Sequence, residues 1–266
     1  MQPDCGGFDT HWLHKNKKIM INLYNTNSLV FWEEKDIRLK KQIEENLKED
    51  IKQILLEQNP QWKLFQIEAP SLIPIELINP NYTADDIWLQ ETKSDTETQL
   101  ALKPETTPTS YLYAEHLLNS NRVIPPFVIW QTSKSFRREQ YQTIKHMRLK
   151  EFSQTEFQCI YTTDTMNDYQ ENVLEPLREM FQNILAMECR IVESDRLPDY
   201  SLRTMDIEVW NEDKWMEICS ISKRKDFTKK AVFQTKNKVV EKDLLVLEIA
   251  IGLDRLMYNY NIRIKN

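Results

Sequence analysis

The sequence predicts an α+β protein, a mostly antiparallel β-sheet flanked by helices. Two observations carry this. Apolar residues recur at the spacing of an amphipathic helix in well-separated stretches. Between those stretches, short runs rich in β-branched and aromatic residues come as hairpins interleaved with the helices.

Residues 1–33 show no regular period and are expected to form an N-terminal extension, with 34–266 as one domain. Over 34–58, Ile43, Leu47, Ile51, Ile54 and Leu55 fall on one helical face and charges fill the other, until Asn59-Pro60 ends the helix. A strand at 62–67 is followed by Pro70 and Pro74, which mark an edge or a turn. Residues 91–97 are a polar loop. A strand at 100–102 leads through Pro104-Glu105-Thr106 into a helix at 110–118. Strands at 127–130 and 152–161 form a long hairpin with a basic tip. The next helix, 168–186, buries Leu174, Leu177, Phe181, Ile184 and Leu185. Strands follow at 204–210, 215–221, 231–235 and 244–250, and Gly252 separates the last from a closing helix at 253–260. In the first of these, Met205, Ile207 and Val209 alternate with Asp206, Glu208 and Trp210, so one strand face is acidic.

At 266 residues, with 41% hydrophobic and 10% aromatic content, the chain can bury one full core. No apolar run approaches the roughly 18 residues of a spanning helix, and a soluble, cytoplasmic protein without membrane partners is expected. Cys5, Cys159, Cys189 and Cys219 form no CxxC pair, which points to buried thiols over a disulfide framework or a zinc site. With 35 basic and 41 acidic residues the net charge is -6, poor for indiscriminate nucleic-acid binding. Two basic runs, 134–150 and 223–242, nonetheless stand out; either solvated loops or phosphate contacts account for them. Gly6, Gly7 and Gly252 are the sole glycines, so a glycine-rich phosphate loop is excluded.

Three segments carry chemistry. In Ser135-Phe136-Arg137-Arg138-Glu139-Gln140, Arg137 and Glu139 are two apart on an expected strand and share a face. A guanidinium there can grip a phosphate or carboxylate, with a carboxylate beside it to orient it. His146-Met147-Arg148-Leu149-Lys150-Glu151-Phe152 returns with more cations and an aromatic face. The stretch from Glu248 to Arg255 places Arg255 on a first helical turn just after Gly252, where it can stack on a base. Singly, these are an ion pair, a core aromatic and a helix-surface arginine; their order in one chain favours a shared site.

On these segments the sequence resembles the class II aminoacyl-tRNA synthetases, especially the subclass of glycyl, seryl, threonyl and prolyl enzymes. The resemblance covers most of 34–260. The helix ending at Pro60 and the strand to Pro70 resemble motif 1, the family's dimer element; SFRRE with HMRLKEFSQTEFQ resembles motif 2, and LEIAIGLDR motif 3. KPET at 103–106 is similar to the RPET of glycyl enzymes, whereas DIEVW at 206–210 and EICSISKRKDF at 217–227 are closer to seryl enzymes.

That resemblance implies a homodimeric ligase that uses ATP to turn an amino acid into an aminoacyl-adenylate, then passes the acyl group to tRNA or another acceptor. It implies Arg137 as the catalytic group on the α-phosphate, with Glu139, Arg148, Phe152 and Arg255 completing the ATP site. Phe152 and Arg255 would sandwich the adenine, and Glu139 would approach its amino group. Glu105, Glu156 and Glu248 would surround the amino acid, and Glu217 and Ser220 would hold Mg2+ on the phosphates. Displacement at the α-phosphorus builds negative charge that an arginine and a metal can stabilise without a nucleophilic side chain.

Ala250 stands where glycyl enzymes carry a serine, and no zinc-ligand set of the threonyl kind is visible. The closing helix lies near the end of the sequence, so an anticodon-binding domain is not expected. A small amino acid is expected as substrate, glycine first. The competing reading is a non-catalytic binding or regulatory subunit on the same fold, as in the accessory subunit of the mitochondrial DNA polymerase.

Overall fold

The protein is described by a computed structural model over residues 22–24, 29–91, 98–138, 147–195, 197–211, 214–235 and 238–265. The 25-residue helix α1 (Glu34–Gln58) opens with the Asp36 carboxylate accepting from the Glu33 backbone N–H at 3.1 Å and closes with the Asn59 N–H on the Leu55 carbonyl at 3.0 Å. Its apolar stripe, Leu39, Ile43, Leu47, Ile51 and Leu55, is buried as the period predicts. Within the stretch expected to be irregular, β1 (Asn22–Tyr24) and β2 (Leu29–Phe31) pair as a small hairpin. That corrects the reading of 1–33: three-residue strands are too short to show a period.

The main sheet contains β3 (Lys63–Gln66), β7 (Phe127–Phe136), β8 (Glu151–Thr162), β9 (Cys189–Glu193), β10 (Ser201–Asn211), β11 (Lys214–Arg224), β12 (Lys230–Thr235) and β13 (Lys238–Gly252). Their order is β3-β7-β8-β13-β11-β10-β9, with β12 also paired to β13. Among the described strands of this sheet only the β3–β7 pair is parallel; the others are antiparallel, so the fold is the expected α+β class. A smaller sheet of β4 (Leu72–Pro74), β6 (Leu100–Leu102) and β5 (Trp88–Leu89) stands beside it. Sequence analysis misses β4, β5 and β9, which are short and flanked by prolines or polar residues.

One face of the main sheet is covered by α1, α3 (Tyr169–Leu185) and α4 (Leu253–Lys265), with Val128, Trp130, Phe157, Ile207, Ile249 and Ile251 pointing into that core. Part of the opposite face is covered by α2 (Thr107–Asn119), which packs Ala114 and Leu117 on Phe127, Ile129, Ile160 and Val246. The rest of that face stays open. Strand alternation therefore sends Ile249 and Ile251 inward while Glu248 and Ala250 line the opening. Cys159, Cys189 and Cys219 are buried free thiols, as expected, and Cys5 lies outside the described residues. No described helix is long and apolar enough to cross a membrane.

Candidate active site

The open face holds a cavity of about 490 Å³. Its floor is a buried charge cluster built by three strands, β8, β11 and β13, with the segment that leads into α2. Arg224, at the end of β11, is only 1% exposed and donates to Asp226 at 3.1 and 2.7 Å, to Glu248 at 2.7 Å and to Thr107 at 3.2 Å. Glu105 lies 3.7 Å from the same guanidinium, and the Tyr200 ring faces it at 4.0 Å. Burial opposes its charge, but Glu248 and then Glu105 hold Arg224 protonated well above the ordinary arginine value.

Glu248 also accepts from Thr107 at 2.8 Å and Gln158 at 2.7 Å. Glu105 accepts from the Tyr82 hydroxyl at 3.1 Å through one oxygen, whereas its Oε1 is buried without a hydrogen-bond partner. Desolvation raises the Glu105 carboxyl, partly offset by Arg224. Glu156, bonded by Thr106 and Gln154, is pushed up to about 8 by desolvation and then by Glu248 and Glu105. Glu105, Asp226 and Glu248 thus share one arginine, with Glu156 beside them, in a water-poor floor. Such a cluster attracts a further cation, above all one with several N–H donors.

The rim is cationic. Arg137 follows directly on the end of β7, its backbone N–H on the Lys150 carbonyl at 2.8 Å. Its Nε donates to the Pro104 carbonyl at 3.0 Å and its Nη2 to the Tyr82 hydroxyl at 3.3 Å. The guanidinium stands 5.3 Å over the Phe152 ring. Arg148 and Arg255 line the same cavity. Arg255, on the first turn of α4, donates to the Glu217 carbonyl at 3.1 Å and pairs with its carboxylate at 3.3 Å. Strand β7 stops at Phe136, one residue short of the strand position expected for Arg137, and Glu139 lies outside the described residues.

Glu217 and Ser220 are three apart on a strand, a spacing that strict alternation puts on opposite faces. A bulge resolves this: Ile207 pairs with Cys219 and Glu208 with Glu217, leaving Ile218 extra, and both Glu217 and Ser220 line the cavity. Asp206, opposite Ser220, joins them with a buried, unpartnered Oδ1, and desolvation followed by Glu217 pushes its carboxyl up to about 6. Among the described residues no group of three or more His, Cys, Asp or Glu is arranged to hold a metal ion. The oxygen donors of Glu217 and Ser220 suit a hard cation whose remaining ligands come from a bound polyphosphate.

The structure therefore brings Glu105, Arg137, Arg148, Phe152, Glu156, Glu217, Ser220, Glu248 and Arg255 to one cavity. Sequence reasoning assigned Arg224 no role, reading it only within a basic run and the segment 217–227. Alternation along β11 from Ser220 through Ser222 was the available signal. Tyr82 and Tyr200 had none, since loops bring them in.

The chain belongs to the class II tRNA synthetase core-domain family: the family model described as the tRNA synthetase class II core domain (G, H, P, S and T) matches residues 88–261, more than half of its length. Among curated relatives, the glycine--tRNA ligase of Mycoplasma capricolum is 30% identical over 170 residues, covering 59% of this chain and 37% of the ligase. That of Mycoplasmopsis synoviae is 26% identical over 176 residues, 61% of this chain and 39% of the ligase. The chain thus spans less than half the length of these relatives. A prolyl-tRNA synthetase from Cryptosporidium parvum, solved with halofuginone and AMPPNP, superposes with a TM-score of 0.70 at 15% identity, over 90% of this chain and 49% of that one. This likeness is one of fold.

Proposed function

We propose that this site uses ATP to convert a small amino acid into an aminoacyl-adenylate, with later transfer of the acyl group to tRNA. The observation that carries it is the opposition of charge across one cavity: an acidic floor in which Glu105 Oε1, 3.7 Å from Arg224, is buried without a hydrogen bond, and Arg137, Arg148 and Arg255 at the rim. An α-ammonium group fits the floor and a polyphosphate fits the rim. In the reaction a carboxylate oxygen of the amino acid bonds to the α-phosphorus, the bond from that phosphorus to the β-phosphate bridging oxygen breaks, and pyrophosphate leaves with the electron pair. Arg137 offsets the charge that develops.

Phe152 and Arg255 are assigned to the adenine, Arg148 to the polyphosphate, and Glu139 to the adenine amino group by its place in the sequence. Glu217 and Ser220 are the residues that would hold Mg2+, which when bound neutralises phosphate charge. Glu105, Glu156 and Glu248 orient the ammonium group. Glycine is the first choice, with serine and alanine behind it. In support, Thr107 and Gln158 crowd Glu248, Tyr200 roofs Arg224, and the relatives described above are glycine--tRNA ligases. A homodimer built on residues 34–70 belongs to the same reading, and light scattering at micromolar concentration checks it.

Pyrophosphate exchange across the standard amino acids tests the function. Strongest exchange with glycine, serine or alanine is expected. A preference for a large aromatic or cationic amino acid overturns the small-substrate assignment, and no exchange with any overturns catalysis in favour of a non-catalytic subunit.

A further inference from the structure

We propose that Tyr82 is a positioning residue that ties the amino-acid end of the cavity to its phosphate end through a directed hydrogen-bond chain, Arg137 to Tyr82 to Glu105. This rests on the reading of the site given above. Tyr82 lies outside the segment matched by the family model, which begins at residue 88, and belongs to none of the three motifs. Its hydroxyl accepts from Arg137 Nη2 at 3.3 Å and donates to Glu105 Oε2 at 3.1 Å. A phenol has the one donor and the acceptor capacity that this chain needs. Arg137 grips the Pro104 carbonyl as well, at 3.0 Å, so it holds the residue before Glu105 through the backbone and Glu105 itself through Tyr82.

The loop carrying Tyr82 is held at several points. The Asn79 side chain accepts from the Asn81 N–H at 3.0 Å and donates to Asp226 at 3.5 Å, which links the loop to the partner of Arg224. Asp86 accepts from the Thr83 N–H and hydroxyl at 2.8 and 2.7 Å. Arg138 then donates to the Ala84 and Asp86 carbonyls at 2.9 and 3.0 Å. Tyr82 itself packs beside Ile73, Ile78 and Ile87. A rigid phenol on a stitched loop therefore sets the distance between the group that takes the ammonium and the group that takes the phosphate. That distance governs whether the attacking carboxylate meets the α-phosphorus at about 3–3.5 Å.

The test is Tyr82→Phe, which removes one oxygen and keeps the ring. Pyrophosphate exchange is measured on the parent first. In the variant, kcat/KM for the amino acid is expected to fall about tenfold or more and KM for ATP to rise with it. The acid limb of the pH profile should move upward, because Glu105, which faces Arg224, Glu248, Arg137 and Tyr200, loses a donor that favours its ionised form. The melting temperature should stay within about 2 °C. Kinetics within twofold of the parent, or lost activity with a lower melting temperature and an unmoved acid limb, overturn the proposal. A parent that exchanges no pyrophosphate overturns the function assigned to the site, and this proposal with it.

Discussion

Replacing Arg224 by methionine removes the counter-charge of the cavity floor at nearly constant volume. Its side chain is 1% exposed, and those of Glu105 and Glu248 are 7% and 8% exposed, so water cannot take over its role. Removing one partner of a buried ion pair typically costs about 3–5 kcal/mol, because the other charge stays buried and uncompensated. Here Thr107 and Gln158 still donate to Glu248 and Tyr82 to Glu105, which places the expected loss near the lower end, about 3 kcal/mol. Against a total stability of about 5–15 kcal/mol this is a large share. Equilibrium urea unfolding of parent and variant measures it. The sign with pH follows from linkage: without Arg224 the folded-state Glu105 carboxyl, already raised by burial, rises further above its unfolded value. The deficit is then full above that raised value and shrinks as acid protonates Glu105. Arg224→Lys, which keeps the charge but loses the fork, should lose less. A deficit under about 1 kcal/mol near neutral pH, or one that does not shrink in acid, refutes the argument.

Arg137→Ala should cut pyrophosphate exchange about a hundredfold or more with the fold intact; a rate within a few-fold of the parent removes Arg137 from the catalytic role. Glu156 has a folded-state pKa raised to about 8 from an ordinary 4.5, so the folded state binds the extra proton between those values. Parent stability should therefore fall as pH rises through that window, and Glu156→Gln should flatten that part of the curve, as unfolding midpoints at about pH 5, 7 and 9 would reveal. Lys40 of α1 bonds to Asp254 at 2.6 Å and to the Ser153 hydroxyl at 2.7 Å, beside Arg255 and Phe152. Lys40→Met should cost about 2 kcal/mol and Lys40→Arg less, with thermal melting as the measure; equal melting temperatures for parent and both variants would show the pair to be inert.

Much of the fold was legible because its signals are local. The stripe from Leu39 to Leu55, the helix Tyr169–Leu185 and the alternation around Ile207 each encode a period that one segment carries by itself. Strand β13 runs from Lys238, well before the apolar 244–250 stretch, because Lys238–Asp243 pairs with β12 and needs no apolar face to be a strand. Of the candidate site residues, Arg137, Arg148, Phe152 and Arg255 were legible from type and order in the chain, whereas Glu105, Glu156, Glu217, Ser220 and Glu248, which line the same cavity, were picked out through the family resemblance.

The sequence by itself determined the fold class, the helices, most strands of the main sheet and the residues assigned to one cavity. Only the tertiary structure decided which sheet face stays open, that a bulge at Ile218 turns Glu217 and Ser220 to the same side, and that Arg224 and Tyr82 join the site. The reason is range. Side-chain periodicity is a property of neighbours along the chain, whereas the meeting of Arg224 with Glu248 depends on the pairing of β11 with β13, and that of Tyr82 with Arg137 on the loop between β4 and β5 of the small sheet reaching the end of β7 in the large one.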